Sequence, residues 1–292
     1  MDEKGDQMSN FEKYFARGGS CTQMQFPCIP ADAVKTSVCI DKNIVPDGIF
    51  GCVEWIMKDF VTEGLLKHDT GELHMFVGGD PKDHENLNAQ IDFQLENDHF
   101  VFSENCFIFV PEGCAHNIVS VKGLKKPMLH YIMQVHSDEY KAVPAAATAE
   151  PGKYADHRVV GYVRTDGQVS TPPPPGFLTF LLWIDERKVP NAPYTESVWF
   201  HTTHDTGPEN HTHENMDEFV AFIGSDPEHP EELNGDISFE LGDEVIHTTK
   251  STIIFVPRHV AHSPLLVHRI DRDILHFSGG NGGSYIRGPV EE

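Results

Sequence analysis

The chain has 292 residues, room for one large domain or two modest ones. It carries 45 Asp plus Glu against 22 Lys plus Arg, a formal charge of −23. That charge repels phosphate backbones and anionic headgroups, which argues against general nucleic-acid or membrane-surface binding. Hydrophobic residues make up 39%, enough for a packed core.

The first 25 residues open MDEKGDQMSNFEKYF, polar and acidic with no signal-peptide h-region, and read as an arm. A first domain is expected over 26–140. Within it Ile91-Asp92-Phe93-Gln94-Leu95 alternates apolar and polar as a half-buried strand does, and Cys106–Val110 is a short apolar run ended by Pro111. Residues 141–174 contain PAAATAEPG and PPPPG, which resist helix and read as a Pro/Ala-rich linker. A second domain is expected over 175–280, with strands at Phe177–Ile184, Ser197–Thr203, Ile237–Leu241 and Thr252–Val256, and 281–292 form an irregular tail. Turn residues punctuate at short intervals and no segment carries a convincing helical stripe, so each domain reads as an all-β barrel or jelly roll.

Cys21, Cys28, Cys39, Cys52, Cys106 and Cys114 include no CxxC pair and make a poor disulfide framework. With no apolar run approaching a membrane span, the expectation is a soluble cytoplasmic chain with reduced thiols. Cys106 and Cys114 have no basic neighbour in sequence and read as packing residues, not nucleophiles.

The two domains are a tandem repeat. FVGGDP at 76–81 returns as FIGSDP at 222–227, an offset of 146 residues (222 − 76). The same offset carries Glu72 onto Glu218, Ile91, Phe93 and Leu95 onto Ile237, Phe239 and Leu241, and Ile108–Pro111 onto Ile254–Pro257. It also carries His116 onto His262 and His130 onto His276, with no gap from Glu72 to His130. The GxDP segments of both copies read as turns.

The histidines then sort themselves. His211 and His213 share one face of an extended segment, Glu218 follows after a turn, and His262 arrives on a later strand. Three imidazoles and a carboxylate suit Mn, Fe, Co, Ni, Cu or Zn better than Ca or Mg. His276 and His130, if they face inward, are partners behind the ligands or proton shuttles, and otherwise packed histidines with satisfied hydrogen bonds. His201 and His204 read as exposed or mouth-lining, and His259 as a turn residue.

These residues resemble the cupin superfamily, specifically a bicupin. The first cupin motif, HxH then Glu after three or four residues, is matched by His211, His213 and Glu218. The second, PxGxxH, is matched in full by Pro111–His116, and by Pro257–His262 with His259 in place of Gly. The resemblance implies two tandem double-stranded β-helix (jelly-roll) barrels. It also implies one divalent transition metal (Fe, Mn, Ni or Zn) held in the second barrel by His211, His213, Glu218 and His262, with Glu218 and His276 as the catalytic pair. The first repeat departs from the pattern. His211 and His213 fall on Leu65 and Lys67 at the offset of 146, leaving His68, Glu72 and His116. A Lys67 ammonium would oppose a cation, so the first barrel is expected to be structural, with an anion subsite around Lys67 and His116 as an alternative.

For function, the resemblance implies an enzyme acting on a small oxygenated substrate, a carboxylate or keto-enol, by enolate-type C–C cleavage or decarboxylation. An oxygen-dependent dioxygenase and a non-catalytic small-molecule-binding cupin are the alternatives. No nucleic-acid or membrane partner is expected. The barrels should pack face to face about a pseudo-two-fold axis, which allows a homo-oligomer without requiring one.

Overall fold

The computed structural model describes residues 10–20, 26, 29–167 and 172–288. Among these, strands and three single-turn 3₁₀ helices make up the regular structure. Cys21 and Cys28 lie outside the described residues.

The first barrel is two facing sheets. One orders Val34–Ile40, Gly51–Ile56, Met128–Gln134, Glu72–Gly78, Cys106–Val110 and Arg158–Val159; the other carries Leu65–Lys67, His116–Lys122, Asn86–Leu95 and Asp98–Glu104. The second barrel repeats the plan. Its larger sheet orders Leu178–Ile184, Thr195–Phe200, Ile274–Gly280, Glu218–Gly224, Thr252–Val256 and Phe15–Arg17, against a three-stranded sheet of Glu232–Leu241, Glu244–Lys250 and His262–Ile270. All pairings are antiparallel, the architecture of two double-stranded β-helical barrels.

The alternating runs behave as their period dictates. Ile91, Phe93 and Leu95 are fully buried, while the intervening Asp92 and Gln94 are only partly so. The strand expected over Ser197–Thr203 instead runs Thr195–Phe200. The chain leaves the sheet at His201, whose side chain is held at the surface by Asp273 and Thr179. Both GxDP segments start where a strand ends at a glycine. A Cβ on Gly78 would sit 2.0 Å from the Asn86 carbonyl oxygen, and one on Gly224 would sit 2.0 Å from that of Glu232, so neither position tolerates a side chain.

The barrels share one core. Trp55, Met75, Phe107 and Tyr131 from the first cluster with Trp199, Phe219, Ile253 and Phe277 from the second. Tyr131 and Phe277, equivalent at the offset of 146, pack against each other with ring centroids 4.4 Å apart. Equivalent residues meet each other only on a two-fold axis, so the barrels pack face to face about a pseudo-two-fold.

The described parts of the arm and linker are structured. Phe15–Arg17 pairs with Thr252–Val256, and Arg158–Val159 pairs with the equivalent strand Cys106–Val110. The N-terminal segment therefore completes the second barrel and the linker completes the first. Strands Val34–Ile40 and Gly51–Ile56 set Cys39 opposite Cys52, and the two sulfurs are bonded as a disulfide. This corrects the expectation of reduced thiols and removes that argument for a cytoplasmic location: antiparallel pairing, not sequence spacing, brings the two together. Cys106 and Cys114 are free and buried, and burial pushes both thiols up, away from the reactive thiolate. No helix of the described residues is long and apolar enough to cross a membrane.

Candidate metal centre

In the second barrel, His211 and His262 form an isolated antiparallel bridge, each amide N–H donating to the other's carbonyl at 3.1 and 3.0 Å. His213 is anchored by its own carbonyl, which accepts from the His259 amide at 2.8 Å. His259 has φ +68°, matching +74° at Gly113, its equivalent in the first barrel, so it supplies the left-handed turn that delivers His262. Glu218 begins the inner strand Glu218–Gly224. The nearest ring nitrogens of His211, His213 and His262 lie within 4.8 Å of one another. Glu218 Oε2 is 3.1 Å from His262 Nε2 and 3.4 Å from His213 Nε2. All four side chains are buried.

Each of the three rings has its Nδ1 tied to a backbone carbonyl: His211 to Glu209 at 2.8 Å, His213 to Ile286 at 2.7 Å and His262 to Val260 at 3.0 Å. A carbonyl only accepts, so Nδ1 of each ring carries a proton, and Nε2 is the nitrogen left to offer a lone pair to a cation. His213 Nε2 and His262 Nε2 have no aligned hydrogen-bond partner. Converging lone pairs beside a carboxylate repel one another unless a cation lies between them. The donor set therefore fits a divalent transition metal. Burial alone would raise the Glu218 carboxyl; hydrogen bonds and positive charge from His213 and His262 in their protonated forms hold it below the usual range, and a cation between the neutral rings would act in the same direction. Burial, aided by neighbouring His262, lowers His211 to about 4 and keeps it unprotonated.

The tail, expected to be irregular, pairs with the ligand segment. Thr212 and Gly288 form a bridge, which brings Tyr285 over the site. The Tyr285 hydroxyl lies 3.2 Å from His211 Nε2 and accepts from Arg287 Nε at 2.8 Å. Burial keeps the phenol protonated by raising its pKa. Glu196, in the wall strand Thr195–Phe200, accepts from the Tyr162 hydroxyl of the linker at 2.6 Å, and burial raises its carboxyl. Nothing in a Gly-rich tail or a Pro-rich linker marks Tyr285, Arg287 or Tyr162 as site residues in sequence.

His276 faces into the barrel but not onto the ligands. Its Nδ1 donates to the Ala221 carbonyl at 2.9 Å and its ring is sandwiched between Phe200 and Phe222, at 4.9 and 5.1 Å. No hydrogen bond joins it to Glu218, and burial lowers it to about 4, so it is neutral.

The first barrel holds a second cluster, and the alignment at an offset of 146 misreads it. His68 Nδ1 is tied to the Lys141 carbonyl and the ring abuts Tyr140, just as His213 Nδ1 is tied to Ile286 and its ring abuts Tyr285. His68 is therefore the counterpart of His213, at an offset of 145 (213 − 68). Leu66, paired with His116, is the counterpart of His211, which is bridged to His262. The one-residue gap lies between the histidine and Glu72. Lys67 is exposed on its strand, so it neither opposes a cation nor forms an anion subsite with His116, contrary to expectation. His68, Glu72 and His116 present ligand atoms within 4.8 Å of one another. Glu72 Oε2 is 3.1 Å from His68 Nε2 and Oε1 is 3.0 Å from His116 Nε2, while the Gln134 amide donates to Oε2.

Behind Glu72 runs a buried polar chain. His74 Nε2 lies 2.6 Å from Glu72 Oε1, its Nδ1 is 3.0 Å from His130 Nε2, and His130 Nδ1 is 3.0 Å from Glu54 Oε1. Burial lowers His74 to about 4 and His130 to about 3, and raises Glu54 to about 8.

No family model matches the chain, and no curated protein matches it in sequence. Solved structures do match in fold. A mutant of Bacillus subtilis oxalate decarboxylase aligns at TM-score 0.55 and 11% identity over 86% of this chain and 74% of that one. A second mutant of that enzyme aligns at TM-score 0.56 and 10% identity over 94% and 78%. The enzyme at pH 4.6 aligns at TM-score 0.54 and 12% identity over 93% and 79%.

Proposed function

We propose that this chain, a bicupin by fold, is a metal-dependent enzyme whose second barrel removes carbon dioxide from, or cleaves a C–C bond in, a small carboxylate or keto-enol substrate. The observation that carries this is the buried convergence of three Nδ1-tethered imidazoles, two of them against the Glu218 carboxylate, with Tyr285 and Arg287 at the edge beside His211. The solved structures of like fold reported above are of an oxalate decarboxylase, which agrees with a small-acid substrate.

His211, His213, Glu218 and His262 would hold the ion. When bound, a divalent ion polarises a carbonyl or carboxylate oxygen and stabilises the negative charge that develops as the C–C bond breaks. The remaining work falls to this chain. The Arg287 guanidinium offers a cation to a substrate carboxylate, and the Tyr285 hydroxyl it supports donates to a substrate oxygen. The Glu218 carboxylate accepts a proton at Oε. Glu196, its carboxyl raised by burial, is a second acid in the same wall. Of the two roles open to His276, the hydrogen bond to Ala221 and the flanking phenylalanines favour a pocket wall over a proton relay.

The test is an assay of the metal-loaded chain against small dicarboxylates, hydroxy acids and dicarbonyls, with carbon dioxide and dissolved oxygen both followed. Carbon dioxide release without stoichiometric oxygen uptake is expected. Uptake of one oxygen per turnover would make the chain a dioxygenase, and a metal-free chain of undiminished thermal stability would make it a binding module. Glu218→Gln should retain appreciable metal through the three histidines yet lose most turnover; wild-type turnover in that variant would make the carboxylate a spectator.

A further inference from the structure

The first barrel lacks the imidazole at Leu66, but one has been gained elsewhere. His74 stands two residues beyond Glu72 on the strand Glu72–Gly78, so both side chains point into the barrel. The equivalent position in the second barrel is Val220, in an apolar wall. His74 is only 4% exposed, and its Nε2 lies beside Glu72 without an aligned hydrogen-bond partner. His68 Nε2 is in the same position. The three rings facing Glu72 also share one nitrogen assignment. His68 Nδ1 is engaged by the Lys141 carbonyl, His116 Nδ1 by that of Cys114, and His74 Nδ1 by His130, which in turn is held by Glu54. Each ring is left with Nε2 directed at the Glu72 carboxylate, His68 at Oε2 and His74 and His116 at Oε1, as His213 and His262 are directed at Glu218 in the second barrel. Metal-ligating histidines are oriented in this way, by a bond from the far nitrogen. Glu54 and His74 are both replaced by valine in the second barrel, at Val198 and Val220, so the supporting pair accompanies the extra imidazole and is absent where the imidazole is absent.

We infer that the first barrel binds its own divalent transition metal through His68, His74, His116 and Glu72, with His74 substituting for the imidazole missing at Leu66, and that this site is closed to substrate. The closure follows from space. The cavity at this cluster measures about 20 Å³, and Phe26, Ile29, Leu66, Ile132 and Tyr140 line it together with Glu72, His74 and His116. That volume holds an ion or a single water and nothing larger. A four-ligand site with no open position is structural in character, in contrast to one that must admit a reactant.

Cobalt(II) provides the probe, because elemental analysis counts it and its visible spectrum reports coordination. The full wild-type chain should take up two cobalt ions, and the chain carrying His211→Ala and His262→Ala should take up one. In that background His74→Val, which installs the second barrel's residue, should weaken cobalt binding at least tenfold, and Leu66→His added to it should recover the binding. Up to high concentrations, azide should leave the first-barrel cobalt spectrum unchanged. The ligand assignment is overturned if the His211→Ala, His262→Ala chain melts like wild type and binds no cobalt, if His74→Val binds as before, or if Leu66→His fails to restore binding. An azide-induced spectral shift would overturn the closure.

Discussion

The two barrels share a backbone plan and differ in what lines it. Along the inner wall of the second, Val198, Val220 and Phe222 surround a His276 whose Nδ1 bonds to the backbone of its own barrel. Along the same wall of the first, Glu54, His130 and His74 form a hydrogen-bonded chain whose last ring abuts Glu72. The mouths differ in the opposite sense. The first is plugged by Tyr140 against Phe26 and Phe50, with ring centroids 4.9 and 5.5 Å away. The second is rimmed by polar groups, Tyr285 with Arg287 and Glu196 with Tyr162. The first barrel runs a polar chain along the wall behind its carboxylate and packs aromatic rings over it; the second lines the equivalent wall positions with Val198 and Val220 and sets Tyr285 and Arg287 of the tail beside its ligands. A reactant needs the second arrangement and a permanently held ion needs the first.

Four measurements break or sharpen that contrast, in decreasing order of expected effect. His211→Ala should remove most metal from the second barrel while far-ultraviolet circular dichroism stays β-rich, since the ring packs at the mouth; unchanged second-barrel metal would mean that the site is misassigned. Gly78→Ala and Gly224→Ala should each destabilise the fold by roughly 3 kcal/mol or more in denaturant titrations, because backbone must move to admit a Cβ. Similar losses at the two positions would confirm that the repeats obey the same local geometry, and tolerance at either would refute it. Glu54→Leu should cost about 1–3 kcal/mol by stranding His130 Nδ1 in the core, whereas Val198→Leu in the second barrel strands nothing and should cost less. Equal costs would show that the polar chain contributes no stability.

The smallest effect concerns acid stability. Glu96 sits where the second barrel has Gly242, and both carry positive φ, at +52° and +62°. The second barrel fills the space over Gly242 with Phe11 of the arm, whereas in the first the Glu96 carboxylate accepts from the backbone of Ala115, Thr148 and Ala149 and so ties down the linker. Burial alone would raise Glu96, but those donors hold it below its ordinary 4.5. A carboxyl lower in the folded than in the unfolded state adds stability that is fully present above about 4.5 and is lost as the pH falls through the folded value. Glu96→Gln should therefore cost about 1 kcal/mol at neutral pH and flatten the acid limb of the stability profile. An unaltered acid limb would show that the carboxylate does not anchor the linker.

Much of this was legible in the sequence. The ungapped match from Glu72 to His130 made two equivalent barrels unavoidable, because a half-buried strand writes its period-two burial directly into residue order. His211, His213 and Glu218 declared themselves by short-range spacing, and His262 by the repeat. Other features depended on contacts between residues far apart in the chain. The Cys39–Cys52 bond needed the pairing of two strands, the approach of Tyr285 to His211 needed the tail to fold back across 74 residues, and the strand from the arm needed the far edge of the second barrel. The equivalence of His68 and His213 was hidden by a single-residue gap in a turn, where neither burial nor alternation constrains register, and was revealed by a carbonyl more than 70 residues away that grips the same ring nitrogen in both barrels. Residue order sets which side chains a strand can turn inward. Which of them meet is decided only when the sheets close and each buried polar atom must find its partner.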